Sequence, residues 1–244
     1  MKTDLVIVSP VAAASLRRFT DARVALGRAG SSLTTKAHLQ FVGDHARARD
    51  AVWTAVDFDS LAHQLGELGA RTVRVRSQAG DRATYLRRPD LGRQLDEESM
   101  ARLAAEAVKP AASIALVVAD GLSAEAIHTQ ASAVAGPLLL RLATRAPSLI
   151  VLVEQGRVAI GDAIGEALGA ELVIVLVGER PGLSAADSLG CYVTWSPRTG
   201  TPDSRRNCIS NIRGGGLAPE AAAEKIAALV ERMFERRMSG VGLL

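Results

Sequence analysis

Aromatic residues, cysteines and long apolar segments are all scarce in this 244-residue chain. Only 3% of the residues are aromatic although 48% are hydrophobic, so the core has to be built from Ala, Leu, Val and Ile. Such a composition favours helices packed on a parallel sheet over a β-sandwich. No segment reaches the roughly 20 consecutive apolar residues of a membrane-spanning helix. We therefore expect an intracellular, cytoplasmic protein that has no membrane partner.

The sequence also lacks the residue clusters of common catalytic and metal sites. Its two cysteines, Cys191 and Cys208, form no CxxC pair, which is typical of reduced cytosolic thiols rather than of a disulfide framework. The four histidines lie where helices are predicted and lack the spacing of metal ligands. The motifs GxGxxG after a strand, the P-loop, HExxH and GxSxG are missing. We therefore expect no metal site and no complete catalytic motif.

Charge is nearly balanced, with a net charge of +3 and both signs interspersed along the chain. Arginines concentrate between residues 71 and 93, but Asp81 and Asp90 dilute their charge, and Tyr85 is the only aromatic residue there that could stack on a base. A solvated or subunit-docking face is the more frequent explanation for such a stretch. A basic nucleic-acid-binding module that uses residues 74–93 stays open as an alternative.

Alternation of apolar runs and helical segments predicts the fold. Strands are predicted at 114–119, 149–153 and 172–177, with helices at 123–143 and 161–168 between them, and this order is typical of a parallel sheet. Additional strands are predicted at 73–76, 191–195 and 208–212, and a final helix at 219–238. We therefore predict an α/β fold, in which a mainly helical N-terminal region (1–110) precedes a Rossmann-like, mostly parallel sheet with flanking helices (111–244).

The N-terminal region is predicted to contain a long helix that Thr34 or Thr35 caps. Its apolar residues recur at spacings of three and four, with Arg49 the one exception, which is typical of the core-facing stripe of an amphipathic helix. They are Leu39, Val42, Ala46, Trp53 and Val56. Shorter helices are predicted over 11–19, 60–68 and 99–108.

Three loops follow the three core strands, at the edge where open α/β sheets bind their ligands. They contain Asp120-Gly121, Gly156-Arg157-Val158 and Glu179-Arg180, and the segment from Cys208 to Asn211 could join them. The side chain of Glu179 has no obvious structural partner and could accept hydrogen bonds from amide groups. Simpler explanations stay open: a plain turn for GERPG, a small buried residue for Cys208, or a stand-alone α/β enzyme that uses Cys208.

Several segments, in the same order along the chain, resemble the small subunit of ethanolamine ammonia-lyase. VGERPGL, followed by SLGCY and CISNI, is the most specific combination among them. The segments are ARVALGRAG (22–30), YLRRPDLGRQL (85–95), ADGLSAEAI (119–127), the run from GRVAIGDAIG to CYVTWSPR (156–198) and NCISNIRGGG (207–216).

The resemblance implies a subunit of an adenosylcobalamin-dependent carbon–nitrogen lyase that is inactive alone. In this family the large subunit binds ethanolamine, the cobalamin lies between the subunits, and the complex forms acetaldehyde and ammonia by radical chemistry that the cofactor supplies. By motif, Val158, Glu179 and Cys208 match the small subunit's cobalamin-contacting positions. The resemblance thus implies a hetero-oligomer with the large subunit, no catalytic residue in this chain, no nucleic-acid partner, and a cytoplasmic location that can include a bacterial microcompartment.

Overall fold

The computed structural model describes residues 15–19, 23–106 and 113–243. A small hairpin of β1 (Arg28–Ala29) and β2 (Ser32–Leu33) precedes a central sheet of six strands. These are β3 (Arg71–Arg76), β4 (Ile114–Ala119), β5 (Leu149–Glu154), β6 (Leu172–Gly178), β7 (Leu189–Trp195) and β8 (Arg206–Ile212), and their order in the sheet is β3–β5–β4–β6–β7–β8.

Four of the six strands are parallel. β3, β5, β4 and β6 pair in parallel, whereas β7 pairs antiparallel with both β6 and β8. All side chains of β4 and β6 are buried, as expected for strands that are covered on both faces. The six strands predicted from the sequence are therefore confirmed, and so is the mostly parallel sheet.

Seven helices surround this sheet in the described ranges. They are α1 (Thr35–Trp53), α2 (Phe58–Glu67), α3 (Arg82–Arg87), α4 (Glu97–Glu106), α5 (Ala124–Ala126, continued by the π-helical Ile127–Ala131 and by Ser132–Leu142), α6 (Ile160–Leu168) and α7 (Pro219–Arg236). Apolar residues of α2, α5 and α7 pack on one face of the sheet, and those of α4 and α6 pack on the other. The α/β prediction is therefore confirmed, with the parallel strands in the middle of three layers.

The helix ends follow the predicted capping residues. The Thr34 hydroxyl accepts a hydrogen bond from Ala37 N (3.3 Å), and the Ser123 hydroxyl accepts one from Ala126 N (3.0 Å). Gly169 adopts φ +67° and ends α6, a conformation that glycine adopts at low cost. Of the helix predicted over 11–19, the described part contains a 3₁₀ turn at Leu16–Arg18, and residues 11–14 lie outside the described ranges. Residues 107 and 108, predicted to end another helix, also lie outside them.

The prediction that the apolar stripe faces the core is wrong for its residues within α1, whereas Val56 lies beyond the end of the helix and packs partly buried against the core. Three residues of α1 are buried, namely Ala37, Asp44 and Ala51, whereas Leu39 and Trp53 are 64% and 54% exposed. The buried residues lie on the opposite side of the helix, where the Asp44 carboxylate pairs with Arg23 and Arg47.

The predicted boundary near residue 110 does not coincide with a boundary between sheets. β3, from the N-terminal region, pairs with β5 along its whole length, from Arg71↔Leu149 to Arg76↔Glu154. The division into two regions stays a prediction. Within the described ranges, no helix combines the length and apolarity that crossing a membrane requires.

Candidate functional site

Three loops meet at the carboxyl edge of the parallel strands. β4 lies between β5 and β6, so the loops that follow these strands are neighbours, as the sequence predicted. Between them is an open pocket of about 430 Å³. It is lined by Tyr85, Gly121, Leu122, Arg157, Val158, Val177, Gly178, Glu179, Arg180 and Tyr192. Two of the three predicted cofactor contacts, Val158 and Glu179, therefore lie in the wall of one cavity.

The loops after β4 and β6 are in direct backbone contact. Leu122 N donates a hydrogen bond to Gly178 O (2.8 Å). A Cβ on Gly178 would lie 2.4 Å from Ser123 O, and one on Gly121 would lie 2.2 Å from Gly178 O. Glycine is thus required at both positions, and it brings the two loops together at the floor of the pocket.

Glu179 is held by strands that follow it in the chain. Its Oε2 accepts hydrogen bonds from Ser188 Oγ (2.5 Å) and Asn211 N (3.2 Å), and its N–H donates to Ser188 O (3.0 Å). The expectation that Glu179 lacks a structural partner was therefore wrong. Both hydrogen bonds reach Oε2, because the start of β7 and the end of β8 lie beside the loop after β6. Oε1 lies over Gly190, where a Cβ would be only 3.0 Å away.

Val158 lies at the entry to α6, where it is half-buried against the apolar layer beneath that helix. Its carbonyl accepts a hydrogen bond from Gly161 N (3.1 Å), which fixes the turn into the helix. Just before it, a Cβ on Gly156 would lie 2.9 Å from the Ala119 side chain. The loop is therefore packed tightly on the end of β4, and Val158 presents an apolar side chain to the pocket.

Cys208 lies on β8, directly opposite Tyr192 of β7. Its side chain is exposed, so the reading as a small buried residue was wrong; the buried cysteine is Cys191. Partial desolvation raises the pKa of the Cys208 thiol, and a hydrogen bond from the Tyr192 hydroxyl opposes this effect. Because the thiol is not activated, the structure weakens the alternative of a Cys208 nucleophile. Cys208 adjoins the pocket through Tyr192, which lines it.

Asp120 joins the loops after β4 and β5 and was not singled out as a linking residue. Its carboxylate accepts hydrogen bonds from Gln155 N and Gly156 N, both at 2.9 Å, and lies 3.5 Å from Arg82 Nη1. Burial raises the pKa of Asp120 to about 6, opposed first by the Arg82 cation and then by the backbone donors. The same Arg82 nitrogen donates to Gly121 O (2.9 Å) and to Gln155 Oε1 (3.2 Å), so α3 is joined to both loops.

Tyr85 is a further residue of this site that the sequence did not identify. It is fully buried, and its hydroxyl donates to Gly156 O at 3.1 Å. The guanidinium carbons of Arg82 and Arg157 lie 4.8 and 4.2 Å from its ring centre, on the scale of cation–π contacts. Arg157 Nε is buried without a hydrogen-bond partner among the described residues. The ring therefore supports the loop that carries Val158.

The arginines between residues 71 and 93 are largely neutralised. Five of them form ion pairs with carboxylates, so this stretch is not a continuous basic surface, which weakens the nucleic-acid alternative. The pairs are Arg71–Glu106, Arg74–Glu154, Arg76–Asp96, Arg82–Asp120 and Arg88–Asp90.

Acidic, histidine and cysteine side chains form no group of three or more that could hold a metal ion within the described residues. His128, on the π-helical part of α5, accepts a hydrogen bond from Asp57 N at 2.8 Å through Nε2. This imidazole therefore joins α5 to the start of α2.

Comparison with known proteins supplies the family. The family model described as "Ethanolamine ammonia-lyase light chain" matches residues 11–244. A protein of Bradyrhizobium diazoefficiens is 51% identical over 231 residues, which are 93% of this chain and 88% of that protein. One of Rhodopseudomonas palustris is 52% identical, with coverages of 93% and 88%, and one of Pseudomonas syringae pv. tomato is 49% identical, with coverages of 93% and 81%. All three are named "Ethanolamine ammonia-lyase small subunit". The chain belongs to the ethanolamine ammonia-lyase light-chain family.

Proposed function

We propose that this chain is the small subunit of ethanolamine ammonia-lyase and forms one wall of an adenosylcobalamin site that the large subunit completes. The observation that carries the proposal is that Val158 and Glu179 line one open pocket together with Tyr192, which lies opposite Cys208 in the sheet. Val158 and Glu179 come from two separate loops. Their position in one cavity is an observation separate from the motif match that first indicated them.

The lining of the pocket suits part of a large, flat ligand that carries amide groups. Val158, Leu122 and Val177 offer apolar contact to a ring edge, and the ring of Tyr192 adds an aromatic surface. The carboxylate of Glu179 accepts hydrogen bonds and donates none, so it suits amide N–H donors at the rim. Ligand pockets typically have volumes of about 300–1,000 Å³. Cobalamin is larger than the roughly 430 Å³ available, so it has to extend towards a second subunit.

The cofactor and the residues of this chain have different roles. Adenosylcobalamin supplies, when bound, the radical chemistry that follows cleavage of its cobalt–carbon bond and converts ethanolamine into acetaldehyde and ammonia. Within this chain Glu179 orients the cofactor, Val158 and Tyr192 exclude water from its edge, and the Asp120–Arg82 pair holds their loops in place. We assign no catalytic residue to this chain, and we place the ethanolamine site in the large subunit.

Reconstitution with the cognate large subunit tests the proposal. Ammonia release from ethanolamine is measured for each chain alone and for the mixture, with and without adenosylcobalamin. We expect activity only for the mixture with cofactor, together with weak cobalamin binding by this chain alone. Deamination by the isolated chain, or activity of the large subunit that this chain does not increase, would contradict the proposal.

A further inference from the structure

Helix α1 presents an apolar face to solvent. Leu39, Val42 and Trp53 are 64%, 48% and 54% exposed, and Ala46 is also exposed. At about 100° per residue, these four positions fall within an arc of about 60°. They extend over about 21 Å of helix, given a rise of about 1.5 Å per residue. We call this set of four residues the α1 stripe.

The buried side of α1 lies opposite the α1 stripe. Its buried residues Ala37, Asp44 and Ala51 recur every seven positions, and their mean direction is about 170° from that of the stripe. The two alanines contribute little apolar area, and Asp44 is committed to Arg23 and Arg47. Exposed apolar residues aligned on the outer side of a long helix, interrupted here by Arg49 and Asp50 between Ala46 and Trp53, are typical of an interaction site.

We propose that the α1 stripe is a docking surface for the large subunit. The proposal rests on the assignment of this chain as the small subunit of the lyase. Trp53, at the C-terminal end of the stripe, lines a second cavity of about 100 Å³ together with Arg82, Asp120 and Gln155. Asp120 and Gln155 also belong to the loops that build the cofactor pocket. A partner that covers the open side of that pocket can therefore continue onto Trp53 and along the stripe.

The charge beside the stripe describes the partner's surface further. Arg49 and Asp50 flank the stripe, about 20° around the helix from Val42 and from Leu39 respectively, and neither forms an ion pair within the described ranges, whereas Arg47 is paired with Asp44. The matching surface of the large subunit should therefore be an apolar groove with a carboxylate at one rim and a cation at the other. An aromatic anchor such as Trp53, seated in such a groove, is a frequent centre of binding energy.

Two substitutions at neighbouring exposed positions test the proposal. Leu39→Glu places a charge in the stripe, whereas Gln40→Glu makes the same change in charge about 100° away on the same helix. The affinity of each full-length variant for the cognate large subunit is measured by titration, with the thermal melt of the chain as the folding control. We expect Leu39→Glu to raise the Kd at least about tenfold, as hot-spot substitutions do, and Gln40→Glu to leave it unchanged. Both melts should match that of the wild type.

Each other outcome identifies a different occupant or a different failure. Equal affinity of Leu39→Glu and wild type overturns the proposal. If affinity is kept while the isolated chain changes from dimer to monomer, the stripe binds a second copy. If affinity is kept while residues 1–14 become more susceptible to protease, the stripe binds that segment, and the proposal is again overturned. Failure of the wild-type chain to bind any large subunit would overturn the proposed function as well. Loss of cobalamin binding in an intact complex would contradict that function alone.

Discussion

The carboxylate of Glu179 is fixed through one of its two oxygens. Oε2 accepts hydrogen bonds from Ser188 and Asn211, Oε1 lies near Gly190, and the residue lines the pocket. Such an arrangement fixes the side chain before a ligand arrives, which lowers the entropy that binding would otherwise cost. The side chain is therefore well placed to favour one orientation of a ligand that carries amide donors.

Glu179→Gln should weaken adenosylcobalamin binding by the two-subunit complex about tenfold or more, because hydrogen bonds to a charged group contribute about 1.5–3 kcal/mol. The amide keeps the shape and can still accept a hydrogen bond from Ser188, so the melting temperature should change little. Titration of the complex with cofactor, followed by absorbance, measures the effect. Glu171→Gln, adjacent to the other end of β6, is the matched control. Identical affinities of the two variants would contradict the proposed contact.

Asp120 makes stability depend on pH. Burial raises its pKa from the ordinary 3.8 to about 6, so the folded protein retains a proton that the unfolded chain releases. Its contribution to stability is complete below pH 3.8 and is lost as the pH rises to about 6. Because each pKa unit corresponds to about 1.4 kcal/mol, the loss amounts to about 3 kcal/mol.

Comparison of the wild type with Asp120→Asn isolates this titration, because all other groups are shared. The free energy of unfolding is measured for both proteins by urea denaturation. The value for the wild type minus that for Asp120→Asn should decrease as the pH rises from 4 to 6. Above pH 6 it should become constant. A difference that does not vary across this interval would show that the Arg82 cation and the backbone donors fully offset the burial of the carboxylate.

The sequence predicted which loops form the pocket, but not the residues that hold these loops in place. The loops with Val158 and Glu179 were predicted to meet because the carboxyl ends of parallel strands share one edge. Tyr85 and Arg82 were not identified because the loop residues to which they donate hydrogen bonds lie 38 or more residues away in the chain. Ser188 was missed because its role depends on the antiparallel pairing of β7 with β6. Periodicity carries no information about such contacts.

At the scale of elements, apolar runs identified the strands reliably, whereas helical periodicity misplaced α1. β4 and β6 are buried on both faces, so a continuous apolar run has one structural explanation. An apolar stripe on a helix has two explanations, the core or a partner, and the spacing is the same for both. In α1 the stripe faces outwards. The sequence of a single chain does not show which of the two explanations applies.

The junction between β6 and the loop after β4 depends on a residue without a side chain. In Gly178→Ala the new Cβ would lie 2.4 Å from Ser123 O and 2.6 Å from Asp120 O, both backbone atoms that move only with their loops. Overpacking of this kind costs about 1–3 kcal/mol. We expect a decrease in melting temperature of about 2–10 °C, measured by circular dichroism. Gly182→Ala is the control, since its Cβ would lie 3.6 Å from Ala185 Cβ, and an equal decrease there would contradict the explanation.

At the scale of the whole molecule, α2 and β3 of the N-terminal region contribute to the sheet and its core. Val73 and Val75 of β3 are buried beside β5, and Phe58, Leu61 and Leu65 of α2 cover one face of the sheet. Burying five such side chains contributes about 7–15 kcal/mol, at about 1.5–3 kcal/mol each. A folded domain is stable by only about 5–15 kcal/mol in total, so a fragment without them should not remain folded.

Two truncated chains test how far this dependence extends. A chain of residues 55–244 loses α1, which buries only Ala37, Asp44 and Ala51 among its described side chains, and we expect it to melt cooperatively. A chain of residues 111–244 additionally loses α2, β3, α3 and α4, which leaves β5 as an open edge and removes apolar residues that cover both faces of the sheet. We expect it to aggregate or to melt without a cooperative transition in circular dichroism. If the shorter chain melted as sharply as the full one and at a similar temperature, the boundary near residue 110 would separate two independent folding units. The continuous pairing of β3 with β5 argues against that outcome.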